Sequence, residues 1–387
     1  MYKVYLKRNE EKKILNGFPW IFANEVYKIE GKDKQGSVAE VVSFDGRFVG
    51  IGYINHLSKI IVRMLSLKNE VVDDKFYYDR IKAAVDFRKE LGYDDNYRAV
   101  FSESDMLPGL IVDKYGDYLS VQFLTLGVEV RRETIINALV KIFSPRGIYE
   151  RSDVAVRLKE GLEEKKGVIY GEFQPTVTII ENGVKMLVDL ENGQKTGYFL
   201  DQKENRDNLK FYVKGKTVLD CFCNVGGFSM CAAKYGATEI TSVDISETAL
   251  DYVRRNAKLN GFSVNTVCAD VFEFLRECRK EKKKYDVVIL DPPAFTKTAD
   301  TVKNACKGYK DINIQALKIV EKGGYLITCS CSQHLSVKMF TDMIEESVFE
   351  SGVRAKTVEL RFQGKDHATL IGTEQSLYLK VAVLKIL

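Results

Sequence analysis

The segment Gly323–His334, GGYLITCSCSQH, carries two cysteines two positions apart, with a histidine shortly after them. Four chemistries fit such a pattern. A disulfide between positions i and i+2 is strained, and it does not suit a reducing compartment. A zinc site needs about four ligands. Cys221 and Cys223 could add a second pair, but C-x-C is tighter than the usual C-x2-C knuckle and His334 is the one histidine close by in sequence. Free cysteines are often inert core residues, a reading that suits Cys329, Cys221 and Cys231. Cys331, flanked by Ser330 and Ser332, falls at the end of the strand-like run Tyr325–Ser330. At that place a thiolate held by nearby donors or cations would be a nucleophile, and this is the favoured reading for Cys331.

Other reactive groups sit at the ends of neighbouring strand-like runs. TVLDCF leads into CNVGGFS, which gives Asp220 and then a turn containing Gly226 and Gly227. Glycines let a ligand approach the backbone closely. The pattern is not G-x-G-x-x-G, and no lysine follows for phosphate binding. EITSVD ends in Asp244, about 20 residues beyond the turn, where an acid accepts hydrogen bonds from a ribose. NTVCAD ends in Asp270. Any one of these acids could be a simple helix cap. Together they suit a nucleoside ligand without phosphate, which would offer hydroxyls and an amine. YDVVIL then runs into DPPAF, Asp291 to Phe295. Two prolines make a stiff corner and remove two donors. Carbonyls, a carboxylate and a ring are left to hold a flat heterocycle.

These groups need a scaffold that brings strand ends together. Strand-like and helix-like runs alternate strictly from about residue 191 to the end, SETALDYVRRNAKLNG being one of the helical ones. Such alternation predicts a doubly wound, mostly parallel α/β sheet, with ligands beyond the carboxyl ends of its strands. Ahead of it, residues 1–70 read as a small β-rich domain, with SVAEVVSF, RFVGIGYI and KIIVRML as strands and Trp20 directly after Pro19. Residues 71–175 read as a central α+β domain. DDKFYYDRIKAAVDFRKEL and VEVRRETIINALVKIF are its helices, and GLIVDKY and DYLSVQFL its strands. Residues 176–190 read as a connecting hairpin turning at Asn182-Gly183.

Composition narrows the class. The 387 residues are 45% hydrophobic and 29% charged, enough for full cores. The opening MYKVYLKRNEEKK lacks the apolar run of a secretory signal, and no stretch reaches the roughly 18 apolar residues of a membrane span. A cytoplasmic protein without membrane contact is therefore expected. Eight cysteines in such a chain read as thiols. The net charge of +4 neither requires nor excludes a local nucleic-acid face. RKEKKKY reads as a solvated helix end. Thr296–Asp311 reads as a loop bearing Lys297, Lys303, Lys307 and Lys310.

Taken together, VLDCFCNVGGFS, VDIS, DPPAF and SCS resemble the motifs of class I S-adenosylmethionine-dependent methyltransferases. The whole chain resembles the large-subunit ribosomal RNA cytosine-5 methyltransferase I family. GFPWIF is similar to the opening of that family's PUA RNA-binding domain, and SESDMLPGLIVDKYGDYLSVQ to its central domain. GQKTGYFLDQKENR is similar to the segment leading into its catalytic domain. The resemblance implies a Rossmann-like methyltransferase domain preceded by a PUA domain, with S-adenosylmethionine as cofactor, no metal, and large-subunit ribosomal RNA as partner. It also implies a homodimer. By the same resemblance Asp220, Asn224 and the Gly226 turn line the cofactor, Asp244 and Ile245 hold its ribose end, and Asp270 its adenine. Gln194, Lys195, Thr196, Tyr198 and Asp201 help close the pocket. Asp291 also borders it.

The implied chemistry is 5-methylcytosine formation. The Cys331 thiolate adds to cytosine C6, and Asp291 holds the base edge near N3. Pro292 and Phe295 contact the base, and Lys297 and Lys310 the RNA phosphates. Many RNA cytosine-5 methyltransferases carry a second cysteine in the motif that here reads DPPAF. Its absence leaves Cys329, Asp291, His334 or a water molecule to resolve the adduct. The competing readings are a nitrogen-directed RNA base methyltransferase using DPPAF, a protein or small-molecule methyltransferase, and a non-catalytic RNA-binding scaffold with a zinc knuckle.

Overall fold

The computed structural model describes residues 2–32, 36–172, 174–296, 301–373 and 376–387. The chain forms two compact units. The first holds Met1–Ile179, Val188–Leu200 and Lys365–Ser376, and the second Ile180–Leu187, Asp201–Gly364 and Leu377–Leu387.

In the first unit, β1 (Tyr2–Leu6), α1 (Glu11–Leu15), β2 (Trp20–Phe22), β3 (Val26–Glu30), β4 (Val38–Val42), β5 (Phe48–Ile54) and β6 (Ile60–Ser66) follow in order. The strands form one sheet, β2-β6-β5-β4-β1-β3, in which β1 and β4 are parallel. Val4, Leu6, Ile21, Val41 and Val62 fill its core. Next come α2 (Asp74–Glu90), β7 (Asn96–Phe101), β8 (Leu110–Tyr115), β9 (Tyr118–Phe123), α3 (Leu126–Glu129), α4 (Arg132–Phe143), β10 (Gly147–Ser152) and β11 (Lys165–Gly171). The sheet order is β11-β10-β9-β8-β7. Asp73 caps α2 by accepting from the Phe76 amide. The expected single helix over VEVRRETIINALVKIF is two helices, because the backbone leaves helical geometry at Arg131. β1, β3, β7, β10 and β11 lie outside the strands expected from the sequence.

The hairpin β12 (Thr176–Glu181) and β13 (Val184–Asp189) turns at Asn182, which takes a positive φ of 50°, and at Gly183. The boundary between the units crosses this hairpin.

The second unit contains α5 (Lys203–Asp207), β14 (Thr217–Cys221), α6 (Gly227–Lys234), β15 (Glu239–Asp244), α7 (Glu247–Asn260), β16 (Asn265–Cys268), α8 (Val271–Lys280), β17 (Tyr285–Leu290), α9 (Val302–Ile319), β18 (Val320–Ser330), α10 (Val337–Ser351), β19 (Ala355–Phe362) and β20 (Lys380–Ile386). Its sheet runs β16-β15-β14-β17-β18-β20-β19. The first five strands are parallel, while β20 runs antiparallel to β18 and to β19. The order reverses between β14 and β17, which makes the switch point where such sheets bind ligands. Both faces of the central strands are covered, so β14, β17 and the second half of β18 are almost wholly buried.

Lys303, Lys307 and Lys310 lie on a helix rather than in the expected loop. Val302, Ala305, Tyr309, Ile312 and Ala316 recur at helical spacing and are buried in the core of the unit. The lysines of that segment had masked this stripe. Lys297 lies outside the described residues.

Arg206 on α5 forms a two-pronged pair with Glu181, at 2.6 and 2.9 Å, with both side chains at most 3% exposed. This pair anchors α5 and the residues just before it. Glu181→Ala strands a buried guanidinium and is expected to cost about 3–5 kcal/mol. Replacing both residues with apolar ones of similar volume is expected to recover most of that loss. Urea unfolding of the two variants checks both statements.

Candidate active site

The carboxyl end of the second unit's sheet collects the groups that the sequence singled out. Asp220, near the end of β14, is fully buried. Its Oδ2 accepts from the Ser229 amide at 3.0 Å and from the Ser229 hydroxyl at 2.6 Å. Its Oδ1 has no hydrogen-bond partner among the described residues. Burial pushes this carboxyl up to about 7. The Asp291 and Asp244 charges push the same way, and Ser229 opposes them. A buried acceptor without a donor is costly and suits a ligand that brings one.

The turn that follows is tightly wound. Phe222 and Asn224 take positive φ of 61° and 48°, and Gly226 takes 84°. A Cβ at Gly226 would lie 3.1 Å from Val253, so only glycine fits without displacement. Asp244 braces this turn. One oxygen accepts from the Asn224 amide at 3.0 Å and the other from the Ser246 amide at 3.0 Å. Each oxygen keeps a second lone pair for a hydroxyl. Helix α7 is capped by Ser246, not by Asp244. Ile245 is 72% exposed beside it, an apolar surface against which a flat ring can lie. Asp270 does cap a helix, accepting from the Glu273 amide at the start of α8.

The reactive half lies at the ends of β17 and β18. Asp291 follows β17, and its Oδ1 accepts from Gln202 Nε2 at 2.9 Å. Cys331 follows β18 and is partly exposed, its sulfur 3.9 Å from the Pro292 carbonyl oxygen. Cys329 is fully buried. Burial pushes its thiol well above the ordinary range, and the Asp291 charge adds to the effect. Tyr309 of α9 joins the two motifs. Its hydroxyl is 2.8 Å from the Ser332 hydroxyl, 3.5 Å from the Pro293 carbonyl and 3.5 Å from the Phe295 amide. The Phe295 ring packs 4.5 Å from Tyr309 and 5.9 Å from Phe272, measured between centroids.

Lys380, the first residue of β20, is buried and stands in register with Ser330, next to Cys331 in the chain. It donates to the carbonyls of Ser332, Leu335 and Tyr378 at 2.7, 2.7 and 2.9 Å. Burial pushes its ammonium down to about 8, and attraction to Cys331 opposes that shift. A cation beside a thiol favours the thiolate. Gln202, Tyr309 and Lys380 were not singled out from the sequence. The one available signal was a lysine opening the apolar strand KVAVLKI.

The remaining sequence-derived residues are divided between the two units. Gln194, Lys195, Thr196 and Tyr198 belong to the first unit. There the Thr196 hydroxyl donates to Asp113 at 2.5 Å, and the Tyr115 hydroxyl bonds the Tyr198 backbone at 3.2 Å. Asp201 belongs to the second unit and accepts from the Tyr378 hydroxyl at 2.6 Å. Lys310 pairs with Glu346 and Glu350 of α10. Among the described residues no group of three or more His, Cys, Asp or Glu side chains could hold a metal ion, and no helix is long and apolar enough to cross a membrane.

The switch-point site and the sheet order define an S-adenosylmethionine-dependent methyltransferase, and comparison with known proteins agrees. Residues 163–354 match the S-adenosylmethionine-dependent methyltransferase family, and residues 4–67 match the PUA-like domain. A structure described as a methyltransferase complexed with SAH aligns with a TM-score of 0.86 at 26% identity, covering 100% of both chains. A structure described as an S-adenosylmethionine-dependent methyltransferase from Streptococcus mutans aligns at 0.84, with the same identity and coverage. Ribosomal RNA large subunit methyltransferase I of Aeromonas salmonicida is 42% identical over 99% of this chain and 98% of its own. Its namesake in Vibrio cholerae is 40% identical over 99% of both chains. The chain belongs to the ribosomal RNA large subunit methyltransferase I family.

Asp220 gives a test of the cofactor half. Its carboxyl titrates near 7 when folded and near 4 when unfolded, so the native state binds more protons between those values. Folding stability should therefore fall as pH rises from about 4 to about 7, by at most about 1.4 kcal/mol per unit, and level off above. Asp220→Asn should remove that slope in urea unfolding of the cofactor-free protein. It should also weaken S-adenosylmethionine binding.

Proposed function

We propose that this protein forms 5-methylcytosine in large-subunit ribosomal RNA through a covalent bond between Cys331 and cytosine C6. The observation that carries the reading is the partly exposed Cys331 thiol at the end of β18, 3.9 Å from the Pro292 carbonyl of the DPPAF corner. Lys380, in register with the neighbouring Ser330, is a buried cation. The names of the relatives support ribosomal RNA as the substrate. So does the match of residues 4–67 to the PUA-like domain.

Cytosine C5 is a weak nucleophile, and covalent catalysis divides the difficult step. Cys331 sulfur bonds to C6, and the C5–C6 π electrons move onto C5. Asp291 holds the N3 edge of the ring while that charge develops. Asp220, Asp244 and the Gly226 turn would hold S-adenosylmethionine, which would supply the methyl group to C5 as its sulfonium carbon–sulfur bond breaks and S-adenosylhomocysteine leaves. A base then removes the C5 proton. Those electrons re-form the C5–C6 double bond and expel Cys331 as thiolate. Cys329 is a poor candidate for that base, since its buried thiol is held protonated. Asp291, His334 or a water molecule remains for the role. The RNA base must leave its stack to reach the strand ends.

The test uses large-subunit ribosomal RNA tritiated at cytosine C5. Tritium release should require S-adenosylmethionine, survive Cys329→Ala and vanish in Cys331→Ala. Methyl transfer onto the same RNA without tritium release would instead assign a nitrogen-directed reaction at the DPPAF corner.

A further inference from the structure

Gln202 is buried, polar and unused by the steps above. It ends the short 3₁₀ turn Leu200–Gln202, just ahead of α5. Its Nε2 donates to Asp291 Oδ1 at 2.9 Å, and the same side chain faces the Cys329 sulfur. Its Oε1 accepts from Asn205 Nδ2 at 2.8 Å. Asn205 is also buried, and its Oδ1 accepts from Arg361 Nε at 3.0 Å. Arg361 is steadied by Glu359 at 2.8 Å and by the Glu204 carbonyl at 3.4 Å.

The cationic end sets the direction of this chain. A guanidinium has donors only. Asn205 must therefore turn its oxygen to Arg361, which leaves its NH2 for Gln202. Gln202 must turn its oxygen to Asn205, which leaves its NH2 for Asp291. Without Arg361 and Asn205, the glutamine amide could present its oxygen to the carboxylate, a repulsive contact. The chain joins β19, α5 and the end of β17, so it fixes the carboxylate from outside the parallel strands.

We propose that Gln202, oriented through Asn205 by Arg361, is a positioning residue that sets the Asp291 carboxylate against the target base. This inference rests on the role proposed for Asp291 at the base edge. Asp291 would serve either carbon- or nitrogen-directed transfer, so the inference does not depend on which atom is methylated.

The experiment uses the full chain, large-subunit ribosomal RNA and S-adenosylmethionine labelled in its methyl group. Gln202→Met keeps length and loses the donor. It should lower kcat by about 10- to 100-fold, the scale of a misplaced reacting group. The KM for RNA and the affinity for the cofactor should stay within about 3-fold, because the interaction acts on the chemical step. Arg361→Gln, at the partly exposed far end, should lower kcat by about 3-fold. Added to Gln202→Met, it should cause no further loss, since both act through one amide. A kcat for Gln202→Met within about 2-fold of wild type, or losses that multiply, would overturn the proposal. So would a loss confined to KM or to cofactor affinity. If Gln202→Met does not fold, Asn205→Asp and Arg361→Gln carry the test, and unchanged kcat in both overturns it. Counting tritium release in parallel separates the two questions. Wild-type transfer without release removes the cytosine-C5 reading, and the effect of Gln202 is still read from methyl transfer.

Discussion

The register of three adjacent parallel strands governs what this site can contain. Cys221 of β14 pairs with Leu290 of β17, and Leu290 pairs with Thr328 of β18. The three strands therefore finish nearly level. Asp220, Asp291 and the Cys329–Cys331 pair reach the same edge of the sheet without any long loop. A slip of one residue in any pairing would reverse every side chain of that strand. Both faces of these strands are close-packed against neighbours, so the slip would set the wrong side-chain volumes against each face. The same packing that stabilises the sheet thus aligns its chemistry.

Level strand ends are necessary but leave the side chains free to turn. Elements from elsewhere in the unit take up that task. Tyr309 reaches from α9 to both the DPPAF corner and Ser332. Lys380 reaches from the antiparallel strand β20 to the carbonyls just past Cys331. Gln202 reaches from the turn before α5 to Asp291. Each of these side chains is itself locked by burial and by further hydrogen bonds, which is what holds a reactive group to a narrow geometry.

This division explains what the sequence made legible. The parallel strands announce themselves as apolar runs, and the polar groups that interrupt them at their ends are conspicuous. Asp220, Asp244, Asp291 and Cys331 could be read that way. Asp270 could be read as well, although its carboxylate is also a helix cap. The supporting residues carry no such mark. Tyr309 looks like any core aromatic at helical spacing, and the lysines around it suggested a loop. Gln202 lies in DQKENR, where nothing local distinguishes it from a solvated polar residue. Their roles arise from contacts across distances in sequence of 89 residues for Gln202–Asp291 and 48 for Lys380–Ser332. Such pairings are properties of the folded chain and have no local periodicity to reveal them.

The two cysteines of the SCS region show how finely position divides environment. They are two residues apart in one chain segment and share a side chain type. Cys329 lies within β18, fully buried, where desolvation and the Asp291 charge both oppose a thiolate. Cys331 lies beyond the last ladder residue and is partly exposed, and its charge acts on the Lys380 ammonium. Desolvation disfavours the ionised form of any thiol, so Cys331 is better placed than Cys329 for the nucleophilic role proposed above. Lys380 is fixed in turn by three backbone carbonyls. The end of β18 is the place where a partly exposed thiol and the field of a fixed cation coincide.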